Sequence, residues 1–117
     1  MSLVVYGIAN CDSVRRARRW LAGKQLDYRF HDLRADGLDP AMLEAWADAA
    51  GWESLLNKRS RTFAGLADAD KRVADRDAAL ALMQANPALV KRPVAAHEDG
   101  ARVLVGFNES EWENAFC

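Results

Sequence analysis

The sequence predicts an α/β fold with a four-stranded sheet of mixed strand direction. Three observations predict it. The N-terminal third has the pattern of strand, helix and strand, which implies a parallel pair with a right-handed crossover. The middle third is rich in helix formers, and the C-terminal third has the pattern of a hairpin followed by a helix. A parallel pair and a hairpin in one sheet make that sheet mixed.

The first strand, helix and strand follow from hydrophobic patterning. Leu3–Ile8 is a continuous apolar run, typical of a central strand that is covered on both faces. From Asp12 to about Lys24 apolar residues recur at helical spacing, and Gly23 suits the end of a helix. Leu26–His31 alternates apolar and polar residues, as a half-buried strand does.

The middle of the chain is predicted to be helical. Asp39 is placed to cap a helix that has Pro40 in its first turn and that ends at Gly51. A short turn is expected over residues 52–56. Helix formers then predict a helix over about residues 70–85, where an Asn-Pro pair stops it.

The last third is predicted to be an antiparallel hairpin and a helix. Pro93–His97 and Arg102–Val105 are the strands, and residues 98–101 form a short turn that contains a glycine. The terminal helix begins at a capping box at Asn108, with aromatic residues on either side placed to pack on each other.

This order of elements is that of a thioredoxin-like fold with a helical insertion at about residues 38–86. A chain of 117 residues fits one domain, so residues 1–117 are expected to form a single domain. The net charge of -1 argues against nucleic acid or an anionic membrane as a partner.

The cysteine and histidine content indicates the compartment and argues against a metal site. Two cysteines do not make a disulfide framework, and the sequence shows neither a signal peptide nor an apolar stretch long enough to span a membrane. We therefore expect a cytoplasmic protein. His31 and His97 stand alone, without the ligand spacing that zinc needs, so no metal and no bound cofactor is expected.

Cys11 is the candidate nucleophile. It lies where the first strand passes into a helix that carries four arginines between residues 15 and 19. A helix start offers unpaired N–H groups, and nearby guanidinium groups add positive charge, so the thiolate is favoured over the thiol.

Three motifs resemble those of the arsenate reductase and Spx family, and within it the YffB branch of glutathione-dependent thiol reductases. They are Asn10-Cys11-Asp12 after the first strand, Leu55-Leu56-Asn57-Lys58-Arg59 in the insertion, and Val90-Lys91-Arg92-Pro93-Val94 before the hairpin. The resemblance spans nearly the whole chain. It implies that Cys11 is the nucleophile, that Arg92 faces it, and that a cis peptide bond precedes Pro93.

Three positions depart from the patterns of the relatives. Asn57 stands where arsenate-reducing members carry an arginine, and a further arginine is replaced near Gly106. Each lost guanidinium contact to an oxyanion is worth about 1.5 to 3 kcal/mol, so we expect weak arsenate binding. Val14 stands where many Spx proteins have the second cysteine of a Cys-x-x-Cys pair, which leaves Cys117 as the other thiol.

The leading hypothesis is a glutathione-dependent thiol–disulfide reductase with Cys11 as its single nucleophile and glutathione as co-substrate. The carboxylates of glutathione, or another anionic substrate, would be held by basic and polar residues: Arg92, Arg59, Lys58, Arg15 and Asn10. Two alternatives remain open. One is a regulatory module that binds a protein such as RNA polymerase without catalysis, and the other is an arsenate reductase that takes a small oxyanion.

Overall fold

The computed structural model describes residues 2–98 and 102–117. Among them are four strands, seven α-helices and one 3-10 turn. Their bounds are β1 Leu3–Gly7, α1 Asp12–Gly23, β2 Arg29–Asp32, α2 Pro40–Ala50, α3 Trp52–Leu55, α4 Arg61–Ala64, α5 Asp68–Lys71, α6 Arg76–Ala85, the 3-10 turn Pro87–Leu89, β3 Val94–His97, β4 Val103–Val105 and α7 Glu109–Phe116. The chain divides into two compact units: the sheet unit, Met1–Asp36 with Arg92–Cys117, and the helical unit, Gly37–Lys91.

The sheet unit contains all four strands, in the order β2-β1-β3-β4. β1 pairs in parallel with β2, with Val5 opposite Phe30, and antiparallel with β3, with Val5 opposite Ala95. β3 and β4 are antiparallel, with Ala95 opposite Leu104. The predicted mixed sheet, with the first strand in its interior, is confirmed.

The core of the sheet unit is formed where side chains of the sheet, α1 and α7 are buried together. Its members are Leu3, Val5, Ala17, Leu21, Ala95 and Trp112. Trp112 is fully buried, and its Nε1 donates a hydrogen bond to the carbonyl of Gly106 at 3.1 Å. Phe107 packs on Trp112 with ring centroids 5.0 Å apart, which confirms the contact expected across the helix cap at Asn108.

The helical unit is organised by side-chain caps and by packing of α2 on α3 and α6. The Asp39 carboxylate accepts a hydrogen bond from the Ala41 amide at 2.8 Å, as the sequence predicted. Gly51 ends α2 with a φ of +86°, a conformation that glycine adopts without steric cost. Gln84 Nε2 donates to the carbonyl of Leu38 at 2.5 Å and thereby ties α6 to the start of the unit.

The single helix predicted over residues 70–85 is wrong in its first part. α5 ends at Lys71 and α6 begins only at Arg76. Asp75 has extended backbone geometry, and its carboxylate accepts a hydrogen bond from the Ala78 amide at 2.9 Å. An aspartate that caps a new helix competes with continuation of the previous one, which outweighs the helix propensity of its neighbours.

Two other predicted segments also differ from the structure. The second strand covers Arg29–Asp32 instead of beginning at Leu26, because the Leu26 amide still bonds to the carbonyl of Leu21 at the end of α1. The predicted hairpin turn falls mainly on residues 99–101, which lie outside the described residues. In the part of the chain that is described, no helix is long and apolar enough to cross a membrane.

Candidate functional site

Cys11 is the N-cap residue of α1 and follows β1 by a short loop. Its backbone is extended, with φ -90° and ψ 131°, and its carbonyl accepts the first bond of the helix from the Arg15 amide at 2.9 Å. The Cys11 amide donates to the carbonyl of Ile8 at 3.1 Å, which turns the loop tightly. The half-buried thiol is thereby held at the positive end of α1, as the sequence predicted.

The surroundings of Cys11 lower the pKa of its thiol. Partial burial acts in the opposite direction and raises the pKa, because it disfavours the thiolate. The Val14 and Ser13 amides at the start of α1 and the side chain and charge of Arg92 act in the other direction, and together they outweigh burial. The balance favours the thiolate, the form of cysteine that attacks other sulfur atoms.

Arg92 and Pro93 approach Cys11 from the segment that precedes β3. Arg92 is half-buried, Pro93 is buried, and the peptide bond between them is cis, the geometry that the resemblance implied. The Pro93 carbonyl accepts a hydrogen bond from the Gly106 amide at 2.8 Å, which joins this segment to the end of β4. The structure therefore brings together the two residues on which the sequence hypothesis placed most weight.

Asp32 supports the loop that carries Cys11, a role that the sequence analysis missed. At the end of β2, its carboxylate accepts hydrogen bonds from the amides of Arg34 at 2.8 Å, Ala35 at 3.0 Å and Ala9 at 3.3 Å. The bond from the Ala35 amide is the largest influence on the Asp32 carboxyl and lowers its pKa. Desolvation comes next and raises the pKa, but the bonds from the Arg34 and Ala9 amides add to that from Ala35, and the net shift is downward. The one sequence signal is an aspartate directly after a strand, which is typical of a turn.

Gly7 lets α1 come close to β1. A Cβ atom added at Gly7 would lie 2.6 Å from Cγ2 of Val14, and Val14 is fully buried. Since Val14 is one of the residues whose amide acts on the Cys11 sulfur, this close approach helps to set the geometry of the site.

The other predicted anchors are placed as follows. Arg15 forms an ion pair with Asp12 at 2.5 Å on the surface of α1, and Asn10 is exposed in the loop before Cys11. Lys58 and Arg59 are exposed residues of the helical unit, and their part in binding stays a prediction.

The two positions that depart from the arsenate reductase pattern serve local structure. The Asn57 side chain accepts a hydrogen bond from the Arg59 amide at 3.1 Å and shapes the turn before α4. Gly106 has a φ of +81°, and its backbone bonds to both Pro93 and Trp112. Among the described residues, no group of three or more histidine, cysteine or acidic side chains is arranged to hold a metal ion.

Comparison with known proteins identifies the family. The ArsC family model matches residues 6–115, which is almost the entire chain. The chain belongs to the ArsC family. Its fold is the thioredoxin-like α/β fold that the sequence predicted, as similarity to solved structures shows.

Three proteins with different names match this chain over most of their own length. A protein of Haemophilus influenzae, described only as uncharacterized, is 43% identical and is covered to 99%, with 98% of this chain. The solved structure of the YffB protein has a TM-score of 0.92 and 40% identity, with 99% of this chain and all of the other covered. The global transcriptional regulator Spx of Streptococcus pyogenes is 32% identical over 87% of this chain and 75% of its own length.

Proposed function

We propose that this ArsC family protein is a glutathione-dependent thiol–disulfide reductase that works through one nucleophilic cysteine, Cys11. The observation that carries the proposal is the lowered pKa of the Cys11 thiol, which raises the fraction of thiolate at neutral pH. The chain is similar to the YffB protein over its full length, and the resemblance of the Cys11 and Arg92-Pro93 motifs to those of the family implies a thiol-based activity.

The proposed reaction has two thiol–disulfide exchanges. The Cys11 thiolate attacks the glutathione sulfur of a mixed disulfide between glutathione and a second thiol. A new S–S bond forms to Cys11, the original one breaks, and the second thiol leaves as a thiolate that takes up a proton. A second glutathione, as its thiolate, then attacks the glutathione sulfur on Cys11, which releases oxidised glutathione and the Cys11 thiolate. In the net reaction the mixed disulfide and one glutathione thiol become the free substrate thiol and oxidised glutathione, so the thiol of the second glutathione is the reductant and the source of the proton.

Arg92 and the start of α1 have distinct parts in this reaction. The Val14 and Ser13 amides and the Arg92 guanidinium stabilise the Cys11 thiolate, both before attack and as the leaving group of the second exchange. We infer that Asn10 and Arg15 contact the bound glutathione. Arg15 would exchange its surface partner Asp12 for a glutathione carboxylate.

Mass spectrometry after incubation with oxidised glutathione tests the proposal. We expect one glutathione adduct, on Cys11, which Cys11→Ser abolishes and the matched control Cys117→Ser retains. Iodoacetamide labelling of Cys11 should titrate below about 8.5, the value of a free thiol. Titration at or above that value, or an adduct on Cys117 alone, contradicts the proposal.

A second candidate function is a regulatory module that binds a protein such as RNA polymerase. The similarity to Spx favours it. Purified RNA polymerase and a small glutathione mixed disulfide distinguish the two functions. Specific binding of polymerase without turnover of the disulfide supports the module, and turnover that is lost in Cys11→Ser supports the reductase.

Arsenate reduction is the third candidate, because the chain belongs to the ArsC family. The local structural roles of Asn57 and Gly106 argue against an arginine-rich oxyanion site at those positions. Reduction of arsenate by the purified protein, supplied with glutathione and glutaredoxin, would replace the reductase proposal with this one.

A further inference from the structure

A groove of about 700 Å³ runs between α1 and the start of α7 in the sheet unit. We call it the α1 groove; Arg16, Arg19 and Trp20 line one side, and Phe107 with residues 108–110 lines the other. A smaller recess of about 360 Å³ shares Arg16 and Arg19 with the groove and continues along α1 to Asp12, the residue after Cys11. Together they form a surface that follows α1 from Trp20 to its first residue, Asp12.

Two of the four arginines on α1 have no side-chain partner among the described residues. Arg15 pairs with Asp12, and Arg18 donates to the Tyr28 hydroxyl at 3.0 Å while stacking over Phe30 at 4.3 Å. Arg16 and Arg19 are exposed and have neither an ion pair nor a hydrogen bond to any residue in the described ranges 2–98 and 102–117. Both line the groove, so the groove offers two guanidinium groups to an anion.

The groove also has a rigid aromatic wall. Trp20 is half-buried and lies edge to face against Trp112, with ring centroids 6.0 Å apart, and close to Phe107, at 6.1 Å. Because Trp112 belongs to the core, this wall is fixed in place before any ligand arrives. Glu109 on the α7 side repels carboxylates, so acidic groups are directed to the α1 side.

The length of this surface fits a peptide segment better than a single small anion. From Asp12 to Trp20 α1 rises about 12 Å, which is the span of about four residues of extended chain. Carboxylates spaced along such a segment match two arginines one turn apart on the same helix.

We propose that the α1 groove binds an acidic segment of the protein whose mixed disulfide Cys11 reduces, with carboxylates on Arg16 and Arg19 and an apolar side chain on Trp20 and Phe107. The identity of the partner as a substrate rests on the proposed function; the binding itself does not. The bound segment runs along α1 toward Cys11 and brings its modified cysteine to the thiolate.

Fluorescence anisotropy with a labelled peptide tests the binding step in Cys11→Ser protein, where no covalent adduct can form. The probe is a short peptide of aspartate and glutamate with one central phenylalanine. We expect binding that weakens as salt rises and that the double variant Arg16→Gln/Arg19→Gln weakens about ten-fold. The matched control Arg34→Gln/Arg102→Gln removes the same charge from exposed positions outside the groove and should leave binding unchanged.

Three outcomes would overturn the proposal: equal loss in the control variant, equal binding of a single-stranded oligonucleotide of the same charge, or displacement of the peptide by glutathione alone. The glutathione adduct on Cys11, measured in protein with Arg16→Gln/Arg19→Gln and an intact Cys11, should remain. Peptide binding in a protein whose Cys11 takes no glutathione would support the groove and contradict the reductase activity, so the two failures are distinguishable.

Discussion

The side chain of Arg92 acts on the sulfur of Cys11 by hydrogen bonding and charge and lowers the pKa of the thiol, in the same direction as the backbone at the start of α1. Arginine side chains as a class stay charged over the pH range in which cysteines titrate. The influence of Arg92 on the thiol therefore does not depend on a second ionisation, and one substitution can isolate it.

Arg92→Gln should raise the pKa of Cys11 toward its ordinary range, because the variant loses both the guanidinium hydrogen bond and its charge. Compared with native protein, Arg92→Gln should be alkylated more slowly at Cys11 below the native pKa of the thiol. At high pH, where Cys11 is a thiolate in both proteins, the two rates should be the same. The measurement is the iodoacetamide rate between about pH 5 and pH 10. Arg34→Gln is the control, and a parallel shift in both variants would show that only net charge matters.

Gly7→Ala should destabilise the protein by about 1 to 3 kcal/mol, since the new methyl group overlaps the buried Val14. Gly23→Ala is the matched control: a Cβ there meets no atom within 4 Å, so it should be neutral or slightly stabilising. Urea unfolding measures both changes. Val14→Ala removes the atoms that the new methyl group overlaps, so Gly7→Ala should cost less free energy of unfolding in the Val14→Ala protein than in the native protein. An equal cost in both proteins would contradict the steric explanation.

Asp32→Asn should weaken the hold on the loop before Cys11, because an amide retains only one of the two acceptor oxygens that bind Ala9, Arg34 and Ala35. The pKa of Asp32 is lowered in the folded protein, so its ionised form contributes stability above the unfolded-state pKa of about 3.9. That contribution is lost as the pH falls through the lower folded-state value.

Native protein should therefore lose more stability than Asp32→Asn on acidification below about pH 4. Urea unfolding at several pH values gives the comparison, with the exposed Asp27→Asn as control. If native protein and Asp32→Asn lost the same free energy of unfolding on acidification, the Asp32 carboxylate would have no role in stabilising the loop.

Trp112→Ala should cost about 3 to 5 kcal/mol, because a fully buried indole is lost from the core of the sheet unit. Trp112→Phe should cost less but still leave the Gly106 carbonyl without its indole donor. Thermal unfolding of both variants ranks the two effects. A smaller loss for alanine than for phenylalanine would contradict the assigned packing.

Elements that depend on local signals could be predicted from the sequence. The apolar run of β1, the cap at Asp39 and the glycine stop at Gly51 each rest on a few neighbouring residues, and each is present in the structure. Cys11 could be placed at a helix start for the same reason. The break before Asp75 was missed because a capping side chain and helix propensity gave conflicting signals there.

Features that depend on contacts between distant segments could not be derived from the residues themselves. The approach of Arg92 to Cys11 was implied only by the family resemblance, because nothing local to either residue specifies it. The Ala9 amide and the Asp32 carboxylate belong to the ends of different elements, and their bond follows from the parallel pairing of β1 and β2. The ion pair of Arg15 with Asp12 could have been predicted, because residues three apart on a helix lie side by side.

Gly106 gives the C-terminal helix a physical link to the thiol. The Gly106 carbonyl accepts a hydrogen bond from the Trp112 indole, and the Gly106 amide donates one to the Pro93 carbonyl. Pro93 follows Arg92, the arginine that acts on Cys11. Docking of α7 and nucleophilicity of the cysteine are thus connected through one residue. We therefore expect the alkylation rate of Cys11 to change when the packing of the last helix is disturbed, for example by a tag fused behind it.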